Sequence, residues 1–144
     1  MAPLIVLLVV TALARVIGLV DLVDWLDSWP HAARIGLAAM FALTASAHFL
    51  PPRRDGLIAM VPPRLPSPAA LVTLTGVLET AGAVGLLIPP VAPVAAICLA
   101  VLMVVMFPAN VRAARAGIGV KTMPLPARSV VQVLFIGACV LAAL

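Results

Sequence analysis

The chemistry open to this chain rests on few side chains. Glu79, its single glutamate, stands in the apolar run "LTGVLETAGAVGLL", and His48 closes another, "FALTASAHFL". An acidic residue in hydrocarbon costs about 2.5–3.5 kcal/mol on insertion scales, so Glu79 is expected to face protein or water. An imidazole can carry a proton, ligate a metal or haem, or bond a backbone carbonyl, and a lone histidine makes a weak case for a metal. Glu79 and His48 are therefore the candidate catalytic residues, as proton handlers; the competing reading of each is a buried structural hydrogen bond.

Four further residues are candidate ligand contacts. Asn110, in "FPANVRAAR", follows Pro108 by two residues, where a broken helical ladder leaves carbonyls beside an amide that both donates and accepts. Its competing reading is a helix C-cap. Gln132 lies one turn into the last apolar run, and Thr75 precedes Glu79 by one helical turn. Met106 is the fourth, and with Met103 it reads as packing before copper ligation; no metal site is expected. On ideal straight helices His48, Asn110 and Gln132 share one level, with Glu79 about 10 Å deeper. A direct His48–Glu79 bond would then require helix tilt or a bridging water.

The elements that carry these residues are dictated by composition. With 65% hydrophobic and 10% charged residues among 144, and mean hydropathy +1.26, the chain reads as one integral membrane domain. Five apolar runs, at 4–20, 31–50, 69–88, 91–109 and 128–144, suit transmembrane helices of about 20 residues. Hydrocarbon leaves backbone groups no partner outside their own helix, and no alternating barrel strands are visible. The first run lacks a basic start and a small-residue cleavage site, so it reads as a retained helix rather than a signal. After it, "DLVDWLDSWP" sets Trp25 and Trp29 at i, i+4 spacing as an interfacial anchor, with Pro30 ending the segment.

Basic residues gather on one side. Arg53, Arg54, Arg64, Arg112, Arg115, Lys121 and Arg128 flank one set of helix ends, against Arg34 alone on the other. The positive-inside rule makes the crowded side cytoplasmic, with the amino terminus inside, the aspartate loop outside and the carboxyl terminus outside. The net charge of +4 thus reads as an orientation signal and an attraction to the lipid bilayer, not to nucleic acid. Thr75, Gly76, Gly82 and Ala83 share a stripe with Glu79, where small residues admit a neighbouring helix. Arg15 is expected to snorkel or to meet a loop aspartate, a bond to Glu79 being the alternative. Cys98 and Cys139 read as small apolar packers rather than a disulfide.

Between the second and third runs, "HFLPPRRDGLIAMVPPRLP" carries two Pro-Pro-Arg triplets. Each proline pair blocks helix continuation. "DGLIAMV" is too short to span and too apolar for an exposed loop, so it is expected to lie at the cytoplasmic interface as a lid. Arg53, Arg54, Pro62, Pro63 and Arg64 frame it, its arginines toward phosphates and its apolar residues toward lipid or the bundle.

"SAHFLPP", "IAMVPPRLPSP", "LTGVLETAGAVGLLIP" and "VVMFPANVRAA", in that order, resemble the DoxX-like family of small bacterial membrane proteins. The resemblance covers about residues 31–144 and implies a four-helix transmembrane bundle in the bacterial inner membrane. Residues 1–30 then form an added helix and acidic outer loop. His48, Glu79 and Asn110 match the family's recurring polar positions. The resemblance implies no single chemistry, its members being tied to quinone reduction, thiol redox complexes and protein assembly. The leading expectation is a redox-associated subunit, quinone- or thiol-linked, that binds a quinone-like or other apolar molecule, with a redox partner protein supplying electrons, since no haem pair, cluster cysteines or flavin motif is visible. The alternatives are an assembly factor for a partner protein, a small-lipid binding protein, and in either case a homo-oligomer.

Orientation is testable directly. In a Cys98→Ala, Cys139→Ala background, Asp24→Cys should react with an impermeant maleimide on intact cells, and Arg64→Cys only after permeabilisation. The opposite labelling would invert the assignment.

Overall fold

The computed structural model describes residues 1–119 and 123–144, so Lys121 lies outside the described residues. The described residues form α1 (Ala2–Leu19), a one-turn 3-10 helix (Asp24–Leu26), α2 (Trp29–Phe49), α3 (Arg53–Met60), α4 (Pro68–Leu86), α5 (Ala92–Ala116) and α6 (Leu125–Ala143), with no strand. All but α3 and the 3-10 turn are long and apolar enough to cross a membrane. The five runs legible in the sequence are these five helices.

The bundle is organised around α2, which packs on α1, α4 and α6, while α5 closes the ring between α4 and α6. Composition explains the central place of α2. Ala32, Ala33, Gly36, Ala38 and Ala45 are buried along it, so backbones approach from several sides. At Gly36 an added Cβ would fall 2.9 Å from the Leu7 carbonyl oxygen and closer still to Thr11. Outward-facing Leu8, Leu13, Val77, Val101, Val105 and Val133 are exposed. Such a continuous apolar perimeter is tolerable in lipid and prohibitive in water.

Prolines act here as boundaries, in two places differently from expectation. Pro30 does not end the tryptophan segment; it stands in the first turn of α2, where its missing N–H is no loss, behind Ser28 whose Oγ accepts from the His31 N–H at 3.3 Å. Trp25 and Trp29 consequently belong to different helices, and Trp25 stacks on the His31 ring at 4.3 Å. Pro108 does not end the fourth run either: α5 continues to Ala116 and stops at Gly117, whose φ of +62° is a left-handed cap. A single proline removes one ladder bond, which neighbouring helices compensate. At 25 residues, α5 is about 37 Å long, exceeding a hydrocarbon core of about 30 Å by about 7 Å, little more than one turn.

The segment between the proline pairs is a short helix, α3. Leu50 and Val61, each preceding a proline pair, both hold extended geometry, as pre-proline sterics require. Met60 is buried against the bundle. Arg54 corrects the expectation that the lid's arginines face phosphates. Its guanidinium turns inward to the His48 carbonyl and reaches the Thr73 hydroxyl at 3.0 Å. Arg112 of α5 donates to the Ala59 carbonyl at 2.7 Å and to that of Val61. The lid is thus latched at both ends, and Arg53 and Arg64 alone among its framing arginines are exposed.

At the opposite end of the bundle, Arg34 is buried and donates through Nε to the Ala142 carbonyl at 2.8 Å, closing the C-terminus of α6. A cation there also opposes the negative end of the helix dipole. Arg15 pairs with Asp27 and lies 5.5 Å from the centre of the Trp29 ring, so its partner is a loop aspartate and not Glu79. Cys139 is buried in the core and Cys98 lies on the surface, both as free thiols.

Gly36→Ala should lower thermal stability in mild detergent by about 1–3 kcal/mol, because the Leu7 backbone cannot yield as a side chain could. Gly137 has nothing within 4 Å of an added Cβ, so Gly137→Ala should be neutral or stabilising by up to about 1 kcal/mol.

Candidate functional site

Glu79 and His48 are both buried, 6% and 3% exposed, and they meet. His48 Nε2 lies 3.4 Å from Glu79 Oε1. The expected depth gap of about 10 Å does not separate them, for two reasons. Side chains lean toward the amino end of their helix, and α2 and α4 are antiparallel: Thr44 faces Glu79, while His48, one turn later, faces Thr75. His48 therefore leans into the bundle as Glu79 leans back toward the α3 end. Gly76 then lets the helices close, since a Cβ there would lie 2.5 Å from that of His48.

Hydrogen bonding fixes the protons. His48 Nδ1 is 2.8 Å from the Val72 carbonyl oxygen, which can only accept, so Nδ1 carries hydrogen. Nε2 then meets Glu79 in one of two ways. A neutral imidazole accepts from a protonated carboxyl, or an imidazolium donates to a carboxylate. In both, one proton is shared between two groups, and the pair moves it without creating net charge. Thr44 meets the other carboxyl oxygen: its hydroxyl is 2.8 Å from Glu79 Oε2 and 3.2 Å from the Phe41 carbonyl. With the carboxyl's single proton directed to His48, the hydroxyl donates to Oε2 in either state, the Phe41 carbonyl being its alternative acceptor.

A second polar group faces this pair from α5 and α6. Arg128 Nη1 donates to Asn110 Oδ1 at 2.6 Å, and Gln132 Nε2 donates to the Met103 carbonyl at 2.8 Å. Asn110 is therefore no helix C-cap; it lies inside α5 and holds an arginine. Gln132 stitches α6 to α5 one residue before Val104, whose carbonyl loses its ladder partner at Pro108. Arg128 was legible in the sequence only as an orientation charge. Its signal was its i, i+4 relation to Gln132, which sets both side chains on one helix face.

Between the two groups lies a cavity of about 230 Å³. Glu79 and Thr44 wall one side, Asn110, Arg128 and Gln132 the other, with Met106 among the apolar residues between. A separate cavity of about 240 Å³ lies beneath α3 and is lined by His48, Thr75 and Met60. Met106 and Asn110 line both. His48 and Glu79 thus front different cavities while approaching each other to 3.4 Å, so their contact forms part of the wall between the two.

The stripe of small residues on α4 is an interhelical face. Gly76 abuts His48 on α2, and Gly82 abuts Leu99 on α5. Among the described residues no group of three or more histidine, cysteine or acidic side chains could hold a metal.

A family model described as a domain of unknown function (DUF8561) matches residues 37–143, and the chain belongs to that family. The match begins inside α2, so the paired polar residues and both cavities fall within it while α1 lies outside. No curated protein and no solved structure matches the chain.

A double-mutant cycle tests the pair. His48→Ala and Glu79→Ala should each destabilise, His48→Ala by about 1–3 kcal/mol because it leaves a buried carboxyl short of a partner. The double variant should lose less than the sum, with a coupling of about 0.5–3 kcal/mol. Strict additivity in thermal unfolding would show that the two side chains do not interact.

Proposed function

We propose that this member of the DUF8561 family is a membrane subunit that binds a quinone-like molecule between α2, α4, α5 and α6 and exchanges a proton with it through Glu79. The observation that carries the reading is the 3.4 Å approach of His48 Nε2 to Glu79 Oε1 at the wall of a largely apolar cavity. A quinone accepts protons at two carbonyl oxygens on a flat apolar ring. The cavity offers protic groups on opposing sides, the Glu79 carboxyl and Thr44 hydroxyl on one and the Asn110 amide and Arg128 guanidinium on the other. At about 230 Å³ it is smaller than the roughly 300–1,000 Å³ of drug-sized sites, so it fits a ring rather than a whole lipid.

The division of labour follows from position. Arg128 and Asn110 orient a carbonyl by charge-assisted donation. Glu79 delivers or withdraws a proton at the other carbonyl, and His48 holds its counterpart. Electrons come from a partner protein, since the sequence carries no visible haem pair, cluster cysteines or flavin motif. An assembly factor using Glu79 as polar glue for another protein's helix is less well supported, because Glu79 is engaged by Thr44 and His48 within its own chain.

Purification in mild detergent and mass spectrometry of retained lipids tests the reading. Wild type should carry quinone near stoichiometry, and Glu79→Gln should lose at least about tenfold, some 1.4 kcal/mol, while keeping its thermal stability. A stoichiometric protein partner with no enriched quinone would overturn the proposal in favour of assembly.

A further inference from the structure

Outside both cavities, three arginines line one groove. Arg64 follows the second proline pair, Arg112 and Arg115 lie one turn apart on the projecting end of α5, and Pro62, Pro63, Pro108 and Val111 form the floor of an open groove of about 650 Å³. Among the described residues no carboxylate lies within 4 Å of any of the three, the ion pairs being Arg15–Asp27 and His48–Glu79. Arg112 is held in place: its Nη1 donates to the Ala59 and Val61 carbonyls. That leaves the other three N–H donors of its guanidinium for the groove.

The groove adjoins the cavity beneath α3, Pro62 and Pro108 lining both. That cavity is apolar along Leu57, Met60, Leu71 and Val105. If a methylene fills about the 30 Å³ of a liquid water, its volume of about 240 Å³ holds on the order of eight methylenes. An anion-binding surface thus opens onto an apolar slot sized for one short length of chain. Arg112 and Arg115 lie within the last five residues of α5, the stretch by which that helix exceeds a hydrocarbon core, and guanidinium is the group best matched to phosphate oxygens.

We infer that the groove and the slot beneath α3 form a second binding site, for an amphiphile with a phosphate head and one hydrocarbon chain. The head rests on Arg64, Arg112 and Arg115, and the chain runs under the lid toward His48. Two sources share this chemistry, a bilayer phospholipid lending one chain and a free single-chain phosphate. The site is distinct from the ring-sized cavity at Glu79, from which Met106, Asn110 and the His48–Glu79 contact divide it.

The test uses purified protein in phosphatidylcholine nanodiscs, titrated with dodecyl phosphate, butyl phosphate and inorganic phosphate. Dodecyl phosphate should bind saturably, and about tenfold or more tightly than the other two. Arg64→Gln/Arg115→Gln should weaken it by a similar factor, both residues being exposed and outside the Arg112 latch. Glu79→Gln should leave it unchanged, which separates this site from the quinone reading. Competition by phosphatidic acid at a tenth of the lipid assigns the site to the bilayer, and binding undiminished by it assigns the site to a free phosphate. Equal binding of inorganic and dodecyl phosphate, or wild-type binding by the double variant, overturns the inference.

Discussion

The contact between α2 and α4 is the constraint on which the rest of the bundle depends. It puts a carboxyl and an imidazole together where both are almost wholly buried. Isolated, each would be an expensive buried polar group. Paired at 3.4 Å, with Thr44, Thr75 and the Val72 carbonyl beside them, each has polar partners inside the chain. Gly76 makes the contact geometrically available, since a side chain there would collide with His48. Because α2 also carries α1 and α6, the register set by this contact passes to every other helix.

Arginine does a different job here from the one its position in the chain suggests. Counted as charges, Arg54, Arg112 and Arg128 mark one side of a membrane. Placed in three dimensions, they are latches, on the end of α2, on the end of α3 and on Asn110. The two roles are compatible, because helix ends present unpaired carbonyls at the depth where a guanidinium still reaches water. Of the arginines left over, Arg53, Arg64 and Arg115, the last two give the groove its character.

What the sequence revealed and what it hid divide along a physical line. Helices and lid boundaries were legible because hydrocarbon enforces helicity over about 20 residues and because proline sterics act on the residue just before, as at Leu50 and Val61. The continuation of α5 past Pro108 was not, because whether one missing ladder bond ends a helix is decided by its neighbours. Glu79 and His48 were legible singly, as polar residues in apolar runs. Their contact was not, since a depth count along straight axes omits the opposite lean of side chains on antiparallel helices. Arg128 was hidden among orientation charges, and Asn110 was legible as a polar residue but not as the partner that arginine needs.

Arg34 has a consequence for how the molecule is made. Its side chain is buried near the start of α2, and its acceptor is the carbonyl of Ala142, at the far end of α6. During synthesis α2 enters the bilayer long before that acceptor exists, so the guanidinium must keep water or headgroup contacts until the last helix arrives. Docking of α6 then ends a period of exposure at the membrane surface. The α2–α6 contact is thereby what withdraws the Arg34 charge from a surface where Asp21, Asp24 and Asp27 stay exposed.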